Sequence, residues 1–261
     1  MTRSASTALI VLGGLLLIYG LVREVNNRRT VDVATPEMVL VDSGAGPEAI
    51  PAIDDPNFVS VKVADNYLSD DGYGIDVGVG GEHRFYAEQI LVWHEIVNAV
   101  QDGMPLAVTY DPLCGSSAVY DRQVAGTTYD FGTSGKLWNN NFLMRDRQTN
   151  SLWSQALGSA VDGSVKEARL ARVASKTMLW SDWKAAYPGG LVLSRSTGAI
   201  RDYTSNPYGD YAYNRDVYFP LSVLDTSKPI KELVTGSMGE TMYWFCWAAL
   251  RAEEVPLSGG G

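Results

Sequence analysis

His94, Asp111 and Cys114 carry the side chains in this sequence best suited to chemistry. Imidazole nitrogen, carboxylate oxygen and thiolate sulfur all ligate metal ions, and a mixed histidine and cysteine set points to zinc or copper. Glu95 or Asp121 would complete such a set. The same residues fit nucleophilic catalysis. His94 would activate Cys114, Asp111 or Glu95 would orient the imidazole, and the amides of Gly115 and Ser116 would receive an oxyanion. Two plainer readings stand beside these. A histidine facing an aspartate is as readily a structural hydrogen bond, and a buried cysteine as readily packs as a small apolar group. With two histidines (His83, His94) and two cysteines (Cys114, Cys246), this chain alone cannot build a three-histidine site and can close at most one disulfide.

The element that must position these residues is a hairpin turning at Asp102-Gly103, a dipeptide that supplies the two positive φ values of a type I′ turn. If Gln101 pairs with Met104, the register sets His94 opposite Asp111 and Leu91 opposite Cys114. Trp93, Val97 and Ala99 then share an apolar face with Leu106, Val108 and Tyr110, while His94 and Asp111 share the other face. Residues 88–98 also fit a helix, with Ile90, Leu91, His94 and Val97 at helical spacing, so the strand is expected to begin near Trp93.

Further hairpin signals recur along the chain. Gly80-Gly81 separates 74–79 from 82–86, Ala125-Gly126 separates 117–124 from 127–131, and 143–147 reads as another strand. One short helix is expected to start at an N-cap Ser181 and end at Pro188, with a strand following over 191–194. The fold class is therefore α+β, predominantly antiparallel β hairpins with a few short helices.

The N-terminal run Ala8 to Val22 is uninterruptedly apolar and flanked by Arg3, Arg23, Arg28 and Arg29. It falls short of the roughly 20 residues of a full span, but Ala5 to Thr7 lengthen it. It lacks the polar face of a core helix and no small-residue cleavage site follows, which favours an uncleaved transmembrane anchor over a signal peptide. Positive charge at both ends leaves the orientation open. The expected organisation is an anchor over 1–25, an extended linker over 26–49, a single β-rich domain over 50–256 and a flexible tail over 257–261. The chain has 261 residues, 46% of them hydrophobic, enough for one sizeable core. A net charge of −9 argues against a nucleic-acid partner.

The blocks IPAIDDPNF, WHEIVN, TYDPLCGSSAVYDR, FGTSGKLWNN, DRQTNSLWSQ, LVLSRSTGAIRDY and NPYGDY together resemble the domain of unknown function 3179 family, from about Ile50 to about Leu224. The resemblance implies a domain that is typically exported or membrane-anchored, periplasmic or at the cell surface, and supplies no activity. It also exposes a departure. Where the family block reads CPLCG, this chain has Asp111 in the first cysteine position, which removes a dithiol and would harden any metal site. The expectation is an extracytoplasmic protein that binds zinc or copper through His94, Asp111 and Cys114. The alternatives are a non-enzymatic binding module for a protein or glycan and a Cys-His enzyme. For the module, Tyr203, Tyr208, Tyr211 and Tyr213 with Asp202, Asp210 and Asp216 would stack on sugars or hold calcium, or simply cover the sheet. Arg145, Arg147 and Gln148 would grip an anion or pair with Asp146 or Asp121, and His83 is expected at the surface.

Overall fold

The computed structural model describes residues 40–138, 140–213 and 217–220, and the backbone of two further strands over 233–238 and 241–246. The expected anchor, the first part of the expected linker and the tail lie outside these residues. Among the described residues no helix is long and apolar enough to cross a membrane.

In chain order, β1 (Leu40–Asp42) and β2 (Phe58–Ser60) precede a one-turn helix α1 (Val61–Ala64) and the hairpin β3 (Tyr73–Val79) and β4 (Glu82–Ala87). A second short helix, α2 (Glu88–Leu91), leads into β5 (Ile96–Gln101), β6 (Met104–Asp111) and β7 (Ser116–Asp121). The small hairpin β8 (Gln123–Val124) and β9 (Thr127–Thr128) is followed by β10 (Phe131–Trp138), β11 (Asn141–Asp146), β12 (Leu152–Ser154) and β13 (Ser159–Asp162). Then come β14 (Ala171–Arg172), β15 (Ser175–Leu179), α3 (Trp180–Ala186) and β16 (Leu191–Leu193). The hairpin β17 (Leu233–Met238) and β18 (Thr241–Cys246) is paired antiparallel.

The turns follow their chemistry. Asp102 and Gly103 adopt φ of 48° and 76°, and the ladder runs from Gln101 opposite Met104 to Ile96 opposite Thr109. Gly80-Gly81 and Ala125-Gly126 make turns of the same sign. Gly80 has a second reason to be glycine: a Cβ there would collide with the Asp102 carboxylate, so the tips of the two hairpins touch.

Three sheets stack as layers. The middle sheet, in the order β14-β7-β6-β5, has one face packed on the sheet β15-β3-β4-β16-β2 and the other on the sheet β1-β10-β11-β12-β13. Alternation along the strands distributes the side chains. Val97, Ala99, Leu106, Val108 and Tyr110 point into one core with Ile75, Val77 and Leu91, while Ile96, Ala107 and Ala118 join Phe131, Met144 and Trp153 in the other. A third cluster, Phe85, Trp180, Trp183 and Val192, covers the outer face of the β3–β4 sheet. Among the named strands of the described residues pairing is antiparallel except where β16 lies parallel to β4, and an isolated parallel bridge joins Ile53 to Val97.

Four expectations change. The ladder of β5 begins at Ile96 instead of Trp93, because α2 and its following turn occupy 88–94. His94 and Leu91 therefore never enter the register that would place them opposite Asp111 and Cys114. The second part of the expected linker is structural: β1 pairs with β10, and Ser43 Oγ donates to the Gly135 carbonyl at 2.8 Å. The helix expected from an N-cap Ser181 starts two residues earlier, with Leu179 at the N-cap position and no side-chain cap.

Candidate functional site

Glu95 stands at the junction of α2 and β5. After the helix, the amide of Glu95 donates to the Leu91 carbonyl at 2.7 Å and its φ is 58°, the left-handed stop that glycine ordinarily fills. Its carbonyl accepts from the Tyr110 amide at 2.8 Å. The side chain is buried, and Oε1 accepts a hydrogen bond from the Tyr208 hydroxyl at 2.8 Å. Burial, and next the nearby Asp111 carboxyl, push its pKa up to about 8. Glu95 and Tyr208 both line a cavity of about 200 Å³. Its other walls are mostly apolar or backbone, including Leu113, Leu137, Phe142 and Phe219.

Behind Glu95, at the end of β6, lies a polar cluster. Asp111 is fully buried; Oδ1 accepts from the Leu113 amide at 2.8 Å, and Oδ2 accepts from the Phe142 amide and Asn141 Nδ2, both at 2.8 Å. Burial raises its pKa against the opposing pull of those donors. Asn141 is the hub. Its Nδ2 also donates to Gln155 Oε1 at 2.9 Å and approaches Cys114 Sγ at 3.4 Å, while its Oδ1 accepts from the Ala156 amide. Cys114 Sγ lies 3.0 Å from Ser116 Oγ. Burial, then Asp111, drive the thiol pKa well up, which favours the neutral thiol over the thiolate.

The structure thus brings Asp111 and Cys114 together and leaves His94 elsewhere. His94 Nδ1 lies 2.7 Å from the Pro51 carbonyl, which can only accept, so that nitrogen bears the proton. Nε2 then accepts from the Tyr203 hydroxyl at 2.7 Å. Burial lowers the pKa of the ring. Both nitrogens are engaged, leaving no lone pair for a metal or for the Cys114 proton. Among the described residues no group of three histidine, cysteine, aspartate or glutamate side chains is arranged to hold a metal ion.

A family model for proteins of unknown function, DUF3179, matches residues 47–243. The chain belongs to the DUF3179 family. No curated protein and no solved structure matches it. The blocks that carry the DUF3179 resemblance meet at this site. WHEIVN supplies Glu95, TYDPLCGSS supplies Asp111, Cys114 and Ser116, SLWSQ supplies Gln155, and NPYGDY supplies Tyr208, while Asn141 directly follows GKLWNN. In this DUF3179 member Asp111 ties β6 to β11 through the Phe142 amide and Asn141.

Sequence reasoning named Glu95 and Tyr208 in lesser roles and missed Asn141 and Gln155. The available signal was the convergence of the motif blocks; composition held none. Other candidates have structural partners. In the tyrosine-rich loop, Tyr203 and Tyr211 are buried and Tyr208 bonds Glu95, so these rings turn inward; Tyr213 is exposed, and Asp216 lies outside the described residues. Arg145 and Arg147 pair with Glu48, and Arg147 also with Asp54, in place of Asp146 or Asp121. His83 is only partly exposed: it bonds Asp76 at 2.9 Å and stacks on Tyr187 at 3.7 Å.

Proposed function

We propose that the domain is a non-enzymatic binding module that takes a small, mostly apolar molecule into the cavity and fixes it through the Glu95 carboxyl. We propose also that the run from Ala8 to Val22 holds it at the membrane with the domain outside the cytoplasm. The observation that supports binding is the coincidence of two costs on one residue. Glu95 takes a left-handed backbone where glycine would be unstrained, and buries a carboxyl where an apolar side chain would need no partner. The fold requires neither, and this side chain forms part of a cavity wall. Such coincidences of strain, shifted ionisation and concavity mark ligand sites.

A screen of small neutral probes by protein-observed NMR tests the reading. Shifts are expected to cluster on Glu95, Phe142 and Tyr208, and to vanish in Ala49→Trp, which places a large ring at the exposed rim. Probes that never bind, or that bind the blocked variant equally well, would overturn it. The competing metal reading would need His94 to surrender two hydrogen bonds and Cys114 to ionise in a buried, acidic neighbourhood. Elemental analysis returning stoichiometric zinc or copper, lost in His94→Ala and Cys114→Ala, would reinstate it.

A further inference from the structure

We infer that the cavity's guest is an uncharged molecule with an apolar body and a carbonyl oxygen, of the class of the small ketones, whose oxygen accepts a hydrogen bond from the O–H of the Glu95 carboxyl. The inference rests on the cavity reading above and adds the hydrogen-bonding sense of the ligand. Glu95 is 5% exposed, and its two oxygens differ. Oε1 accepts the single proton of the Tyr208 hydroxyl at 2.8 Å, which leaves Oε2 to bear the proton of the neutral carboxyl. Burial, and next Asp111, keep that proton in place up to a pH of about 8. Among the described residues Oε2 has no hydrogen-bond partner, yet it is not one of the atoms sealed from solvent without one, as Gln101 Oε1 and Asn140 Oδ1 are. It therefore keeps an open side, and Glu95 borders the cavity. The other O–H groups of the wall are spent within the fold. Ser43 Oγ donates to the Gly135 carbonyl at 2.8 Å, Thr133 Oγ1 to the Ile50 carbonyl at 3.0 Å and Ser134 Oγ to the Leu143 carbonyl at 2.6 Å. The Tyr218 hydroxyl donates to the Tyr208 carbonyl at 3.3 Å.

One free donor in a mostly apolar wall selects a guest that accepts, because a donor buried without an acceptor is costly. A hydrocarbon leaves the O–H unmet, and an alcohol meets it but brings a proton of its own to place. A carboxylate would be buried close to the Asp111 carboxyl on β6, and an ammonium would require Glu95 to give up the proton that its surroundings retain. A carbonyl oxygen needs a donor and nothing more. Size agrees as well. An apolar cavity of about 150 Å³ accepts benzene, so about 200 Å³ admits roughly six to ten non-hydrogen atoms.

Protein-observed NMR titrations of the full chain with five probes of one shape decide the matter: cyclohexanone, cyclohexanol, methylenecyclohexane, cyclohexylamine and cyclohexanecarboxylate. At pH 6 the ketone is expected to bind about tenfold more tightly than the hydrocarbon, the worth of one hydrogen bond, and more tightly than the other three. Its affinity should fall as pH rises past about 8, where Glu95 loses its proton. Glu95→Gln keeps an acceptor for Tyr208 and an N–H for the guest, so it should bind the ketone with no such fall. Glu95→Leu should bind ketone and hydrocarbon alike, with thermal melting to confirm folding; should it not fold, the glutamine variant and the pH series suffice. Asp111 and Tyr208 also titrate beside Glu95, and a fall that persists in Glu95→Gln would assign the donor to them and overturn the inference. Tightest binding by any probe but the ketone, or equal binding by all five, overturns the carbonyl and leaves the cavity reading standing. Absence of binding by every one of them, the hydrocarbon included, removes both.

Discussion

Glu95 is the residue on which physical and functional arguments meet, and its ionisation gives a signed test. Its folded pKa of about 8 lies above the ordinary 4.5, so between those values the native state holds a proton that the unfolded chain has lost. Unfolding stability must therefore fall as pH rises through that window, by up to roughly 1.4 kcal/mol per pH unit for one proton, and flatten above it. Glu95→Gln removes this slope. Urea midpoints of wild type and variant, measured from pH 5 to 9, should diverge in favour of glutamine as pH rises; parallel curves would mean that Glu95 titrates normally. Glu95→Gly should go further and raise the melting temperature at neutral pH, since it also relaxes a left-handed backbone worth about 1–2 kcal/mol, while losing the ligand. Tyr203→Phe should cost about 1–3 kcal/mol in urea unfolding, because it strands the buried Nε2 of His94 without a donor. None of this was legible from composition or spacing. A histidine and a cysteine attract chemical attention by rarity, but what they do is set by partners such as Pro51 and Asn141, which lie far from them in sequence.

At the level of elements the local signals were strong, because a Gly-containing turn dictates its hairpin whatever surrounds it. The register of the Asp102-Gly103 hairpin and the division of its apolar side chains between faces follow from two residues and the period of a strand. What failed was the reach of the strand. The apolar run over 88–97 fits either period, and the helical turn wins from 88 to 94 because the Glu95 amide can close on Leu91. Contacts between elements were similarly unreadable. Gly80 looks like a turn residue, yet it is also the seat of the Asp102 carboxylate. Gly80→Ala is expected to destabilise by about 1–3 kcal/mol, and a double-mutant cycle with Asp102→Gly should show the penalty partly relieved; additive losses would place the cost in the backbone alone. Asn98 makes a comparable bridge. It exchanges two hydrogen bonds with the backbone of Phe131, at 3.0 and 2.7 Å, so the middle sheet grips β10 through a side chain. Asn98→Leu should cost about 2–4 kcal/mol in chemical unfolding by leaving both groups buried and unpaired.

For the whole molecule, the sequence pointed to antiparallel hairpins and gave no hint that three sheets would stack, since layer order depends on which faces find each other after the hairpins form. The middle layer, apolar on both sides, should be the slowest to exchange its amides, with β5, β6 and β7 outlasting β1, β2 and β14 in hydrogen–deuterium exchange. The pairing of β3 with β15, Val77 opposite Ser175, carries a cost in time. During synthesis β3 emerges from the ribosome about a hundred residues before the strand that covers its flank. Throughout that interval a row of open amides and carbonyls is offered to any passing chain. Translation arrested or truncated upstream of Ser175 should yield insoluble product, whereas a nascent chain released past Leu193 has every strand of that sheet to hand.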